Sequence, residues 1–226
     1  MAGMTASHAY ENKRDQYFAN AREDYVARLH ANSDARILEL GCGNGATGRR
    51  ALQTGKCGFY AGLELAPGPA HEARQVLSQV VEGNVEDILL PWPKASFDAL
   101  IASEVLEHLH DPQAALLKLA GILKPGALVL ASSPNIASFK IVRALACGRF
   151  DYADEGAMDR THLRWFTPAT FSEMFENAGI EVLELGPVGH IGWKRRVFDI
   201  LSIGRFHHML YEQINLFGRV RGGVAG

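Results

Sequence analysis

The chain has 226 residues and a mass of 24.7 kDa, which suits one domain with a modest insertion. With 47% hydrophobic and 21% charged residues, it carries enough apolar side chain to build a core, which excludes a disordered chain. Lys and Arg total 23 against 25 Asp and Glu, a formal net charge of -2, so the basic excess of a bulk nucleic-acid binder is missing.

Cys42, Cys57 and Cys147 are odd in number and include no C-x-x-C, so neither a disulfide framework nor a zinc site is indicated. The opening MAGMTASHAYENKRDQYF lacks the apolar core of a signal peptide, and no apolar run approaches the ~18 residues of a membrane span. A cytoplasmic enzyme is the expectation.

Residues 1–34 read as a polar helical segment, with Tyr17, Phe18, Tyr25, Val26 and Leu29 at roughly helical spacing. Strands and helices then alternate. Arg36–Leu40 is a strand, followed by a glycine-rich turn and a helix over Ala46–Gln53. Phe59–Leu65 is a second strand, with a helix around His71–Leu77, and Val80–Glu82 a short third. Ala99–Ser103 is a fourth strand, after a loop at Pro91–Pro93. A helix over Asp111–Leu123 stops at Lys124-Pro125-Gly126, and Ala127–Ser132 is a fifth strand. Thr167–Ala178 is a helix with Thr-Pro at its start and Gly179 after its end, and Ile180–Leu185 is a sixth strand. Residues 189–226 mix the basic cluster Trp193–Arg196 with apolar residues, and are expected to hold a packing helix and the final strand.

This alternation predicts an α/β fold with a mostly parallel sheet covered on both faces. Ligands of such sheets lie beyond the carboxyl ends of the strands. Residues 135–166 fit no strand–helix repeat and are expected to form an inserted cap over that end.

After the first strand comes Glu39-Leu40-Gly41-Cys42-Gly43-Asn44-Gly45-Ala46-Thr47-Gly48. The glycines permit a tight turn and let a ligand lie against backbone. Gly43–Gly48 also fits G-x-G-x-x-G, so an NAD-binding oxidoreductase is an alternative. Glu39, two residues before Gly41, suits an ammonium group better than a pyrophosphate. Glu64, at the end of the second strand, is placed to accept hydrogen bonds from ribose hydroxyls. A ligand with an amino group, a ribose and no phosphate matches both acids, and S-adenosylmethionine is such a ligand.

The successive segments RILELGCGNGATG, GLEL, GNVEDILLPWPKASFDALIASEVLEHLHDP and LLKLAGILKPGALVLASSPN resemble the class I S-adenosylmethionine-dependent methyltransferases, in order and at normal spacing. The resemblance implies a Rossmann-like, seven-stranded, mostly parallel sheet with helices on both faces and an antiparallel last strand. It places Glu39, Gly41 and Gly43 at the methionine end of the cofactor and Glu64 on the ribose. Asn84 and Val85 border the adenine, and Ser103 closes the pocket. The family often has Asp where Asn84 stands; the amide oxygen can still meet the adenine amino group.

Glu104-Val105-Leu106-Glu107-His108 follows the fourth strand. On the first turn of a helix, Glu104, Glu107 and His108 share one face and converge at the methyl end. Two carboxylates and an imidazole suit proton abstraction or a divalent ion. Similar motifs occur in quinone O-methyltransferases and in RNA 2′-O-methyltransferases that protect small RNAs. In the latter family the matching positions, Glu104, Glu107, His108 and His162, hold Mg²⁺. His108 can accordingly be a metal-free general base, a metal ligand or a structural residue. The expectation is a metal-independent reaction with His108 as base and Glu104 or Glu107 orienting it.

Residues 132–182 resemble a bacterial subgroup often found beside glycosyltransferases, through Pro-Asn, Gly-Arg-aromatic and Asp-Arg-Thr-His-Leu-Arg series. That resemblance implies O-methylation of a small hydroxylated acceptor, such as a sugar or glycan precursor. The sequence is also compatible with a metal-dependent 2′-O-methyltransferase of RNA ends, and with a non-catalytic methyltransferase-like binding module.

Overall fold

The computed structural model describes residues 21–187 and 199–222. The expected contacts of Tyr17 and Phe18, and the Trp193–Arg196 cluster, lie outside the described residues. In chain order the elements are α1 (Glu23–Arg28), β1 (Arg36–Leu40), α2 (Ala46–Gln53), β2 (Phe59–Glu64), α3 (Pro67–Ala73), β3 (Gln79–Glu82) and β4 (Phe97–Ser103). A turn of 3-10 helix (Leu106–His108) precedes α4 (Pro112–Ala120) and β5 (Leu123–Pro134). Then follow α5 (Phe139–Ala146), α6 (Pro168–Asn177), β6 (Ile180–Pro187), a second 3-10 turn (His207–Met209) and β7 (Gln213–Val220).

The strands form one seven-stranded sheet in the order β3-β2-β1-β4-β5-β7-β6. β1 to β5 run parallel, and β7 is antiparallel to both β5 and β6. Successive side chains of a strand leave opposite faces of the sheet. Leu100 and Ile101 are adjacent on β4 and both fully buried, so both faces are covered. Leu100 packs with Leu116, Phe171 and Phe175 from α4 and α6. Ile101 joins Tyr25, Tyr60 and Ala73, under α1 and α3. No described helix is long and apolar enough to cross a membrane.

Several boundaries differ from the sequence expectation. α3 starts at Pro67 rather than near His71, with Pro67 and Pro69 in a first turn where the missing N–H costs nothing. α4 stops at Ala120, and β5 begins at Leu123 and continues through Lys124-Pro125-Gly126. Leu123 pairs with Phe97, and the register shifts before the next pair, Ala99 with Leu128. That irregularity takes up the proline, which has no N–H to give a ladder. Residues 135–166 include α5 and return to the sheet through a bridge between Asn135 and Phe166.

Gly48 on α2 lies directly against β2. A Cβ there would fall 2.5 Å from the Tyr60 ring and 2.4 Å from Leu77 Cδ2. Gly48→Val therefore forces the helix off the sheet. Urea denaturation is expected to show a loss of about 1–3 kcal/mol, the usual cost of overpacking.

Candidate active site

A cavity of about 370 Å³ opens at the carboxyl ends of β1, β2 and β4. Glu39, Gly41, Gly43 and Glu64 line one part of it, and Asn84, Val85 and Ser103 another. All the expected cofactor residues thus face one space. Glu104 and His108 also line it, whereas Glu107 does not.

The glycine loop is built around Glu64. Leaving β1, the chain donates Gly41 N–H and Cys42 N–H to Leu63 O, at 2.8 and 3.1 Å. It then turns through positive φ at Gly41 (70°), Gly43 (53°) and Gly45 (82°), conformations open to glycine. That turn brings Gly43 N–H to Glu64 Oε2 at 2.8 Å, while Ala66 N–H donates to Glu64 Oε1 at 2.9 Å. Each carboxylate oxygen keeps a further lone pair for a ligand hydroxyl. Burial raises the Glu64 pKa, and the backbone donors at Ala66 and Gly43 only partly oppose it.

Glu39 lies on the same cavity wall and is 4% exposed. The Tyr60 hydroxyl donates to its Oε2 at 2.9 Å. Burial pushes the carboxyl up to about 8, against that hydrogen bond, and nearby Glu64 adds to the rise. Two buried acids in one cavity favour a cationic ligand and repel a phosphate.

Asn84 serves its own loop: Oδ1 accepts from Glu86 N–H at 3.0 Å and Nδ2 donates to Asp87 at 2.9 Å. Ser103 receives a hydrogen bond from the Arg22 guanidinium. Arg22 also donates to Ser132 Oγ at 2.9 Å, pairs with Asp24 at 2.8 Å and lies 3.8 Å over the Tyr25 ring. It brings a cation to the wall of the cavity that Glu39 and Glu64 also line. Sequence reasoning missed this role, because the pairing runs from one helix N-terminus to two distant strands and follows no local pattern.

The Glu-x-x-Glu-His stretch departs from the expected helical turn. Only Leu106–His108 forms a 3-10 turn, and Glu104 precedes it at φ 51°. This left-handed backbone points Glu104 away from the other two. Glu107, His108 and His162 instead gather, with one ligand atom of each within 4.8 Å of the others, and Glu104 is outside that group. All three are buried. Ser133 Oγ donates to Glu107 Oε2 at 3.1 Å. The His108 and His162 rings meet edge to face, 4.7 Å between centroids. His108 Nδ1 lies 3.1 Å from Thr161 O and 3.2 Å from Thr161 Oγ1. In the sequence Thr161 and Asp159 are only members of a motif; the contact with His108 spans 53 residues and leaves no periodic signal.

The raised Glu39 pKa makes stability depend on pH. The folded state holds this proton up to about pH 8, while an unfolded glutamate releases it near 4.5. Folding therefore binds the extra proton between these values, and stability falls as pH rises across that window. Melting temperatures from pH 5 to 8 are expected to decline less in Glu39→Gln than in the parent protein. Equal slopes would remove Glu39 as the source.

A family model described as a methyltransferase domain matches residues 10–185. The ubiquinone biosynthesis O-methyltransferase of Xylella fastidiosa (strain 9a5c) is 28% identical over 191 residues, covering 77% of this chain and 72% of that protein. A SAM-dependent methyltransferase from Aquifex aeolicus has the same fold, with a TM-score of 0.60 at 14% identity, covering 96% of this chain and 100% of that one. A second, from Mesorhizobium loti, gives 0.61 at 18% identity, covering 87% and 96%. The family match spans the glycine loop, both buried acids and the stretch after β4, so the chain belongs to the methyltransferase-domain family and is an S-adenosylmethionine-dependent methyltransferase.

Proposed function

We propose that this enzyme methylates the hydroxyl oxygen of a small acceptor, and that His108 takes the hydroxyl proton. The observation that carries the reading is a junction. His108 lines the cofactor cavity, and Glu104 and Gln213 line both that cavity and a second one of about 400 Å³. The acceptor enters through the second cavity, under a cap formed by residues 135–166, and meets the cofactor at the junction.

Bound S-adenosylmethionine supplies an electrophilic methyl group on a sulfonium centre. Glu39 would hold its ammonium group, with Gly41 and Gly43 allowing close backbone approach. Glu64 would accept from the ribose hydroxyls, Asn84 and Val85 would flank the adenine, and Arg22 and Ser103 would hold the methionine carboxylate. Positioning supplies most of the rate in an in-line displacement. The remaining task is to remove a proton as the oxygen attacks, which an imidazole does near neutral pH.

The second cavity bears on the acceptor class. Ile141, Leu145, Phe150 and Met158 form apolar wall, and the Arg149–Asp151 pair is exposed beside them. Glu104 Oε1 is buried at the junction without a hydrogen-bond partner of its own among the described residues, with Ser132 and Gln213 beside the carboxyl group. A flat hydroxylated ring with apolar substituents satisfies both features. A sugar or glycan precursor would set part of its hydroxyls against that wall, with Lys140, Glu155 and Glu212 left to meet the rest. The name of the Xylella relative, an O-methyltransferase of ubiquinone biosynthesis, agrees with a hydroxyl acceptor.

A second reading is favoured by the gathering of Glu107, His108 and His162. One carboxylate and two imidazoles fit a divalent transition ion, which would lower the pKa of the acceptor hydroxyl. Glu104, needed for the four-ligand set of the RNA 2′-O-methyltransferases, is outside the group.

The test is an acceptor screen by mass spectrometry, reading a gain of one methyl group and formation of S-adenosylhomocysteine. Hydroxylated aromatic compounds are expected to react and simple glycosides to fail. His108→Ala is expected to lower turnover by about 10²–10⁴-fold, with cofactor affinity unchanged and chelator-treated parent enzyme fully active. Chelator loss restored by Mn²⁺ or Mg²⁺ would transfer the role to the metal reading. Full turnover of His108→Ala would remove the base.

A further inference from the structure

The stretch between β4 and α4 has little regular structure with which to hold His108 in place. Its one turn of 3-10 helix closes through His108 N–H to Val105 O at 3.1 Å and Leu109 N–H to Leu106 O at 3.3 Å. Residues 159–164 fasten it from outside. Leu163 N–H and Arg164 N–H both donate to Glu107 O, at 2.8 and 3.0 Å. The Arg164 guanidinium donates to His110 O. Between these clasps, Thr161 faces the His108 ring.

The protons in that contact can be assigned by elimination. Asp159 Oδ1 accepts Thr161 N–H at 2.8 Å and the Thr161 hydroxyl at 2.7 Å. A hydroxyl has one proton, and the carboxylate is an acceptor only. Thr161 Oγ1 therefore offers His108 only lone pairs, at 3.2 Å. Thr161 O, a carbonyl 3.1 Å from the same nitrogen, also only accepts. Two acceptors on one ring nitrogen require it to carry the hydrogen. A neutral imidazole protonated at Nδ1 has its lone pair on Nε2.

We infer that Asp159 and Thr161 are positioning residues that hold His108 in the Nδ1–H tautomer, so that Nε2 is the nitrogen presented to chemistry. The consequence for turnover rests on the reading of His108 given above; the tautomer itself does not. If the hydroxyl were released from Asp159, it could rotate and donate to Nδ1. The proton would then sit on Nε2, and the ring could not accept one there. Asp159 is 4% exposed and His108 8% exposed, so water competes poorly for either partner. The same segment carries the acceptor cap back to the sheet, so the cap's folding and the tautomer of His108 are set by one strip of chain.

The experiment combines ¹⁵N-histidine NMR of the full-length protein with kinetics of two variants. In the parent protein the His108 signals, assigned by their absence in His108→Ala, are expected to show a protonated Nδ1 and an unprotonated Nε2. Asp159→Ala releases the Thr161 hydroxyl to rotate and donate to Nδ1. It is expected to bring in the other tautomer and to lower kcat by about tenfold, a fraction of the loss from removing a base outright, with cofactor affinity unchanged. Asp159→Ala combined with Thr161→Val removes that donor and leaves only the carbonyl. It is expected to recover both the signals and kcat to within about twofold, an outcome that a purely structural role for Asp159 does not require. A parent protein with its proton on Nε2 would overturn the inference. So would an Asp159→Ala protein with unchanged signals. If Asp159→Ala shifts the tautomer while His108→Ala keeps full turnover, the positioning stands and the base assignment alone falls.

Discussion

One carboxylate joins the parts of this molecule that bind. Glu64 ends β2 and receives the Gly43 amide on one oxygen and the Ala66 amide on the other. The first bond holds the glycine loop that follows β1, and the second holds the entry to α3. Both loops therefore share a single anchor, and that anchor is buried. Hydrogen bonds to a charged group are worth about 1.5–3 kcal/mol each, enough to set the loop's shape. The geometry demands positive φ at Gly43, where a side chain would be strained. Glu39 stands beside it as a second buried acid, held by Tyr60. Confining two carboxyl groups in one cavity is costly, as the upward pKa of each records. A cationic, hydroxylated ligand relieves that cost, whereas a pyrophosphate would compound it. This is the physical reason that the loop's likeness to a dinucleotide fingerprint does not extend to its ligand.

The other end of the cavity is organised differently. Glu104 leaves β4 in a left-handed conformation, with its amide still on Ser132 O. The kink stops a helix from starting there, so Glu104 and the Glu107–His108 pair part company. Glu104 turns to the junction of the two cavities, while Glu107 and His108 meet His162 from the far segment. Such strain at a non-glycine residue is common where chemistry is done. Its cost is met by clasps from residues 159–164, which replace the intrahelical bonds that are missing.

Much of this architecture is legible in the residues alone. The strands β1, β2 and β4 are runs such as RILEL and ALIAS, short, apolar and bounded by turn residues, and their pairing follows from alternation with helices. The glycine loop and its two acids follow each other closely enough to be read as one site. Convergence at i, i+3 and i+4 presumes helical φ, and it fails because Glu104 stands at φ 51°. Pro125 does lie beyond a helix end, but a strand irregularity next to Phe97 absorbs it into β5. Arg22 and Thr161 act across long separations in the chain, through single contacts with no period to expose them. The histidine cluster is half legible: the motif points to His162, but helical spacing wrongly adds Glu104 to its partners.

We propose that Glu64 selects S-adenosylmethionine by holding the loop and meeting the ribose at once. Calorimetric titration of the cofactor into the parent protein and Glu64→Ala tests it most directly. Losing a charged acceptor worth about 1.5–3 kcal/mol is expected to weaken binding by roughly tenfold to 150-fold, and NAD is expected to give no saturable binding to either protein. Unchanged affinity in Glu64→Ala, or saturable NAD binding by the parent protein in place of S-adenosylmethionine, would contradict it.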